Sequence, residues 1–311
     1  MASTEKSGSK GFIKLVFALV SFVLYYYGAS LVGVVISEES GFNQLYTVYG
    51  LRSFVALLAF VLLGGARYLI PNPKKIFSSI SFTKALMLFN LIICALAFCY
   101  LGYQIATQQR TEAFDFAAFR TRALTLLVVC ILVGINEEIG LRGLAFGGLL
   151  AVLGKRRWGV MVAAVLSSLL FGYLHVSGDL AAVNSTAMVI QVVAKTLESA
   201  VFGFCLCAAT LKFENIWGPI LTHCLSDWFL FLCTSAVSGS AISTSYVSAD
   251  ATTSYAVTIL FAIQFLFFLP TTIKSCKALW KMELPQQGPF VKQLASAASD
   301  ADAPRHAKHV A

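Results

Sequence analysis

The sequence predicts an all-α polytopic membrane bundle of about eight transmembrane helices, and three observations carry that expectation. Its 311 residues are 58% apolar and only 12% charged, about half the roughly 25% of an ordinary soluble domain. The mean hydropathy is +0.78. Apolar runs of the roughly 20 residues needed to cross about 30 Å of hydrocarbon recur along nearly the whole chain. A soluble enzyme, a disordered chain and a disulfide scaffold are thereby excluded, and the bundle is read as one unit.

In order, the runs are Leu15 to Ile36, Tyr46 to Leu63, Ala85 to Tyr103, Ala123 to Leu141 with an apolar extension to Leu153, Trp158 to Leu174, Ala181 to Leu211, Ile216 to Ala236, and Tyr255 to Ile273. The second contains Arg52 and is the weakest. The first has the basic flank of a signal peptide but exceeds a usual apolar core and leads into further spans, so it is read as a retained anchor. Beyond Lys281 the composition turns to Pro, Gln, Ala, Ser and Asp, as in a disordered, solvated tail, and His306 and His309 there are not read as ligands.

Charge sets the orientation. Lys6, Lys10 and Lys14 precede span one; Arg67, Lys74, Lys75 and Lys84 join spans two and three; Lys155, Arg156 and Arg157 join four and five; Lys274, Lys277 and Lys281 follow span eight. The alternate connections carry Glu38 and Glu39, a mixed set around Glu112 and Asp115, then Asp179 and Asp250. Positive loops stay cytoplasmic, so both termini are expected there. The same distribution accounts for the net charge of +8 without nucleic acid. The eight cysteines show no CxxC pair and are read as small reduced hydrophobes. No internal repeat suggests the inverted halves of a secondary transporter.

Ionisable residues inside apolar helices cost about 2.5 to 3.5 kcal/mol each on insertion scales and are functional candidates by default. Here they cluster: Asn136, Glu137, Glu138 and Arg142 in span four, Phe171 and His175 at the end of span five, His223 and Asp227 in span seven. Glu138 and Arg142 stand four apart on one face and can pair. Glu137 is turned about 100° away, leaving its carboxylate to meet His175 and His223. His223 and Asp227 are one turn apart, so the carboxylate could fix the imidazole tautomer or share a metal or water. Phe171, four residues before His175, is expected to pack on that face and position it. Lys195 and Glu198 are read as a structural pair, and Gly147, Gly148 and Gly203 as sites of close helix packing. A depth count strains this picture, because it puts His175 near the outer end of span five and Glu137 about 21 Å along span four.

The order Glu137-Glu138-x-x-x-Arg142, Phe171-x-x-x-His175, His223-x-x-x-Asp227 on three membrane helices resembles the CPBP family of CAAX proteases and bacteriocin-processing enzymes, also called Abi, which includes the type II CAAX endopeptidases. Asn215-Ile-Trp-Gly-Pro-Ile before His223 is similar to the family's third-motif region, and the likeness covers about Thr121 to Trp228. The apolar runs and composition divide the chain into a cytoplasmic N-terminus (1–14), N-terminal spans (15–120), a membrane core (121–236) that the resemblance marks as catalytic, a last span (237–281) and the tail (282–311). The resemblance implies an intramembrane peptidase of a bacterial cell membrane in which Glu137 and His175 activate a water, with His223 and Asp227 stabilising an oxyanion or completing a metal site. Both a zinc-dependent enzyme, with Glu137, His175, His223 and Asp227 as ligands, and a metal-free glutamate mechanism are implied. The substrates implied are membrane-associated peptides or prenylated CAAX-type proteins. Asp227 stands where many members have Asn, and an ionised Asp cannot donate to an oxyanion. Read without the resemblance, the same residues would also suit a proton-coupled transporter, and the fold would suit a catalytically silent scaffold or immunity protein.

Overall fold

The computed structural model describes residues 2–40, 43–107, 109, 114–237, 245–248, 250–284 and 288–290. These form ten α-helices: α1 (Ala2–Val23), α2 (Ala29–Ser40), α3 (Gln44–Leu62), α4 (Pro73–Ala106), α5 (Phe116–Glu138), α6 (Phe146–Leu153), α7 (Arg157–Val176), α8 (Thr186–Phe213), α9 (Trp217–Phe231) and α10 (Ala251–Trp280). Their starts follow from local chemistry. Asn43, Asn72, Asp115, Ser185 and Asp250 each precede a helix and accept its free backbone N–H groups, and Pro73 begins α4, where no N–H is needed.

Among the described residues, seven helices are long and apolar enough to cross a membrane. Two of them are joined pairs: Lys10–Ser40 runs through α1, a π turn at Leu24–Gly28 and α2, and Phe116–Leu153 runs through α5, a π turn at Ile139–Ala145 and α6. The eighth expected run, Ile216 to Ala236, forms α9 and a short π turn and does not reach the same length and hydropathy. Large apolar side chains such as Leu62, Phe77 and Leu31 point outward, a surface that suits lipid rather than water. The chain is a multi-pass membrane protein.

Helix α8 packs between α7 and α10, α9 between α4 and α5, and α3 between α2 and α5. All eight cysteines are unbonded, and Cys94, Cys130, Cys205, Cys207 and Cys224 are buried. Small residues set the closest approaches. A Cβ on Gly172 would run into the Thr196 carbonyl of α8, and one on Gly203 would stand 2.9 Å from Arg142 Nη2. Gly148 packs on Ala18, whereas Gly147 meets Pro289 and Phe290 rather than another helix. Those last contacts correct the reading of the tail: Gly288, Pro289 and Phe290 are buried against α6 and Phe60 instead of being solvated. His306 and His309 lie outside the described residues.

Candidate active site

Three helices bring the predicted residues together. On α9 the position of His223 is fixed by the segment before it. Asn215 Oδ1 accepts from the N–H groups of Trp217 (3.0 Å) and Gly218 (3.3 Å), while Trp217 Nε1 donates to the Leu69 carbonyl (2.8 Å). Gly218 lets α4 approach, since a Cβ there would meet Ser79. Polar stitches then set the register of α9 on α4: Thr83 to Thr222 (2.9 Å), and Asn90 Nδ2 to Ser226 Oγ (2.9 Å).

In span four the site sits beside the π turn. Glu138 ends α5 and the next seven residues are π-helical, a wider winding that leaves backbone groups to be met from outside the segment. Ser167 Oγ of α7 donates to the Leu141 carbonyl at 3.0 Å, and Tyr25 packs against Gly140. The whole Phe116–Leu153 segment is one 38-residue rod, about 57 Å long at 1.5 Å per residue. Glu137 therefore lies near its middle rather than at the inner end of a single span, and His175 reaches the same cavity. That removes the depth conflict.

The two glutamates have different surroundings. Glu138 is fully buried; its Oε1 lies 3.1 Å from Arg142 Nη1 and accepts from His223 Nδ1 at 2.8 Å. Arg142, also buried, stacks its guanidinium on the Phe171 ring at 4.3 Å. Since a carboxylate only accepts, His223 Nδ1 carries a hydrogen and its tautomer is fixed by Glu138 rather than by Asp227. Asp227 instead faces the other nitrogen, Nε2, at 3.4 Å. Glu137 Oε2 is 3.7 Å from the same Nε2 and has no hydrogen-bond partner, although it is buried.

His175 is oriented from its own helix. Its Nδ1 lies 2.9 Å from the Phe171 carbonyl; a carbonyl accepts, so Nδ1 donates and Nε2 is the basic nitrogen. Phe171, 2% exposed, meets the His175 ring at 4.4 Å and the His223 ring at 5.6 Å, both edge to face. One residue thus positions both imidazoles and the Arg142 guanidinium.

A cavity of about 360 Å³ is lined by Glu137, His175 and Asp227. A smaller one of about 120 Å³ adds His223, Lys195 and Glu198, and the two meet at Phe171, His175, Asp227 and Tyr246. Lys195 and Glu198 pair at 2.9 Å. Sequence reasoning missed the far wall of the larger cavity: Tyr25, Tyr26, Tyr49, Arg52 and Tyr246. The Tyr25 hydroxyl is buried without a partner. Tyr246 lies in a connection pinned across the site by Gln191, whose Nε2 donates to the Tyr246 carbonyl (2.8 Å) and whose Oε1 accepts from Ser248 N–H (3.1 Å). Burial, with Asp227 and Glu137 nearby, pushes the Tyr246 phenol well above its usual range, so it keeps its proton. A polar intramembrane residue such as Arg52 was the available signal; tyrosines in apolar runs gave none.

Among the described residues, no group of three or more His, Cys, Asp or Glu side chains is arranged to hold a metal ion. His223 donates through Nδ1 to Glu138 and His175 through Nδ1 to the Phe171 carbonyl, which leaves Nε2 of each ring free, the arrangement a ligating histidine takes. Glu137, His175, His223 and Asp227 are the residues that would hold a zinc ion, which would polarise a bound water.

Residues 119–229 match the family model described as type II CAAX prenyl endopeptidase Rce1-like. The central helices are similar to that family, over about a third of the chain. This match supports the CPBP and CAAX protease resemblance carried by the three motifs, and it spans every residue of the Glu, His and Asp cluster. No curated protein and no solved structure matches the chain.

Proposed function

We propose that the chain is an intramembrane endopeptidase that hydrolyses a peptide bond in a membrane-associated, CAAX-type peptide or prenylated protein through a water activated by Glu137 and His175. The observation that carries this reading is the asymmetry of the glutamates. Glu138 is committed through Oε1 to Arg142 and His223 and lines neither cavity, whereas Glu137 borders the larger cavity and has only His223 Nε2 at 3.7 Å for a charged neighbour. Amide hydrolysis needs a base for water, a proton for the leaving amine and a donor at the developing oxyanion.

Glu137 takes the proton of the water and His175, through Nε2, holds that water beside it. His223 acts as an imidazolium, its Nδ1–H held by Glu138 and its Nε2–H facing Glu137 and Asp227; the Nε2 proton goes to the departing amine, and the proton that Glu137 took from the water returns to Nε2. Asp227 cannot donate while ionised, so the oxyanion donor is the Tyr25 hydroxyl on the same cavity. No step here runs through a metal. The test is purified protein in lipid nanodiscs with a prenylated reporter peptide. Glu137→Gln should keep its thermal transition and lose about 10²-fold or more in rate, the size of a general-base contribution; cleavage at the wild-type rate would overturn the assignment.

A further inference from the structure

We propose that Arg52 forms a carboxylate-binding subsite in the active-site cavity and grips the free α-carboxylate at the end of the peptide substrate, an inference that rests on the peptidase reading above. Arg52 lies in the middle of α3, inside a membrane-crossing helix. A cation there is expensive and is normally matched by an anion. Arg52 has none. Its Nε bonds Ser30 Oγ (2.5 Å), its Nη2 bonds the Tyr26 carbonyl (3.1 Å), and its guanidinium lies over the rings of Tyr26 (4.4 Å) and Tyr49 (5.6 Å). These partners orient the fork and carry no negative charge. Among the described residues no carboxylate lies within ion-pair distance of it, in contrast to Arg142, whose charge is met by Glu138.

The side chain is half-buried and lines the same cavity of about 360 Å³ as Glu137, His175 and Asp227, a volume in the usual range for small-ligand pockets, about 300 to 1,000 Å³. That space admits a few residues of peptide and no more. A planar guanidinium presents paired donors that match a carboxylate better than any neutral group. The anion that a peptide brings at a fixed distance from a scissile bond near its end is its terminal carboxylate. Arg52 and Glu137 line the same cavity, so a peptide held by its terminal carboxylate at Arg52 presents to Glu137 a bond within the span of that cavity. Tyr25, Tyr26 and Tyr49 supply walls suited to apolar side chains in between.

The test compares one prenylated peptide as its free acid and as its C-terminal amide, in nanodiscs of neutral lipid. Wild-type protein should cleave the acid with a kcat/KM about 10- to 100-fold higher, the range for hydrogen bonds to a charged group. Arg52→Gln should lose most of that advantage on the acid, bringing the ratio near one, and Arg52→Lys should recover part of it. Because either variant could fold poorly, a second measurement uses wild type alone: the short released peptide should inhibit as its free acid and not as its amide. Equal cleavage of acid and amide by wild type overturns the subsite and leaves the peptidase standing. A lipid phosphate offers the same oxyanion chemistry, and if anionic lipid slows both peptides equally, that source is favoured and the proposal fails. Cleavage of neither peptide would overturn the peptidase reading together with the subsite.

Discussion

Glu137 and Glu138 are adjacent in the chain, yet one faces a cavity and the other is sealed between an arginine and a histidine. Helix spacing made half of this legible: residues four apart share a face, and the Glu138 to Arg142 ion pair at 3.1 Å is what that spacing allows. The bond from His223 to Glu138 was not legible, because it joins residues 85 apart in sequence and depends on how α9 docks. Its consequence is that Glu138 is more than a counter-charge. Glu138→Gln leaves Arg142 buried without an opposite charge, and breaking one side of a buried pair costs about 3 to 5 kcal/mol. We expect the variant to melt well below wild type in a detergent thermal scan and to lose activity as well, since His223 loses an ionic anchor. A Glu138→Gln protein of wild-type stability and activity would remove Glu138 from both roles.

At the scale of helices, the apolar runs predicted most elements and the caps placed their starts, but the π turn at Ile139–Ala145 left no mark in the sequence. It is stabilised by contacts from elsewhere, Ser167 on the Leu141 carbonyl and Tyr25 on Gly140, which no local propensity encodes. The seam of α7 on α8 is a similar case. Gly172 is where the two backbones come closest, with the Thr196 carbonyl in the way of any Cβ. Gly172→Ala would force α7 outward and carry Phe171 and His175 with it. Overpacking of this kind costs about 1 to 3 kcal/mol. The expected result is a lowered thermal transition with a larger loss in kcat than in KM, because the histidine moves off the water. A protein with unchanged stability would mean that α7 and α8 do not meet as described.

For the molecule as a whole, the alternation of basic connections gave an orientation, and the contacts say what that orientation means. Lys75 pairs with Glu214 (3.3 Å), Arg157 bonds the Trp280 carbonyl and Lys14 the Phe290 carbonyl, which gathers the basic connections at one end of the bundle. Helix α9 starts at that end, where Asn215 meets Ile70, and reaches the opposite one, where Trp228 Nε1 bonds the Ala123 carbonyl (2.9 Å). It therefore runs from one end of the bundle towards the other despite its short helix, and the N-terminus of α10 at Asp250 lies away from the basic end. The larger cavity is lined by Ser177, Gly178, Asp179 and Tyr246 of the connections at this second end, where Asp179 Oδ2 accepts from Tyr246 N–H at 2.8 Å. If positive connections stay cytoplasmic, the cavity opens on the far side of the membrane. Reporter fusions at Lys75 and Arg156 should then read cytoplasmic and one at Asp250 external, and a membrane-impermeant thiol reagent should reach a cysteine placed at Gly178 in intact cells. Opposite readings at two of the three fusions would invert the bundle, put the cavity mouth in the cytoplasm, and direct the search for substrates to peptides made and lipidated there.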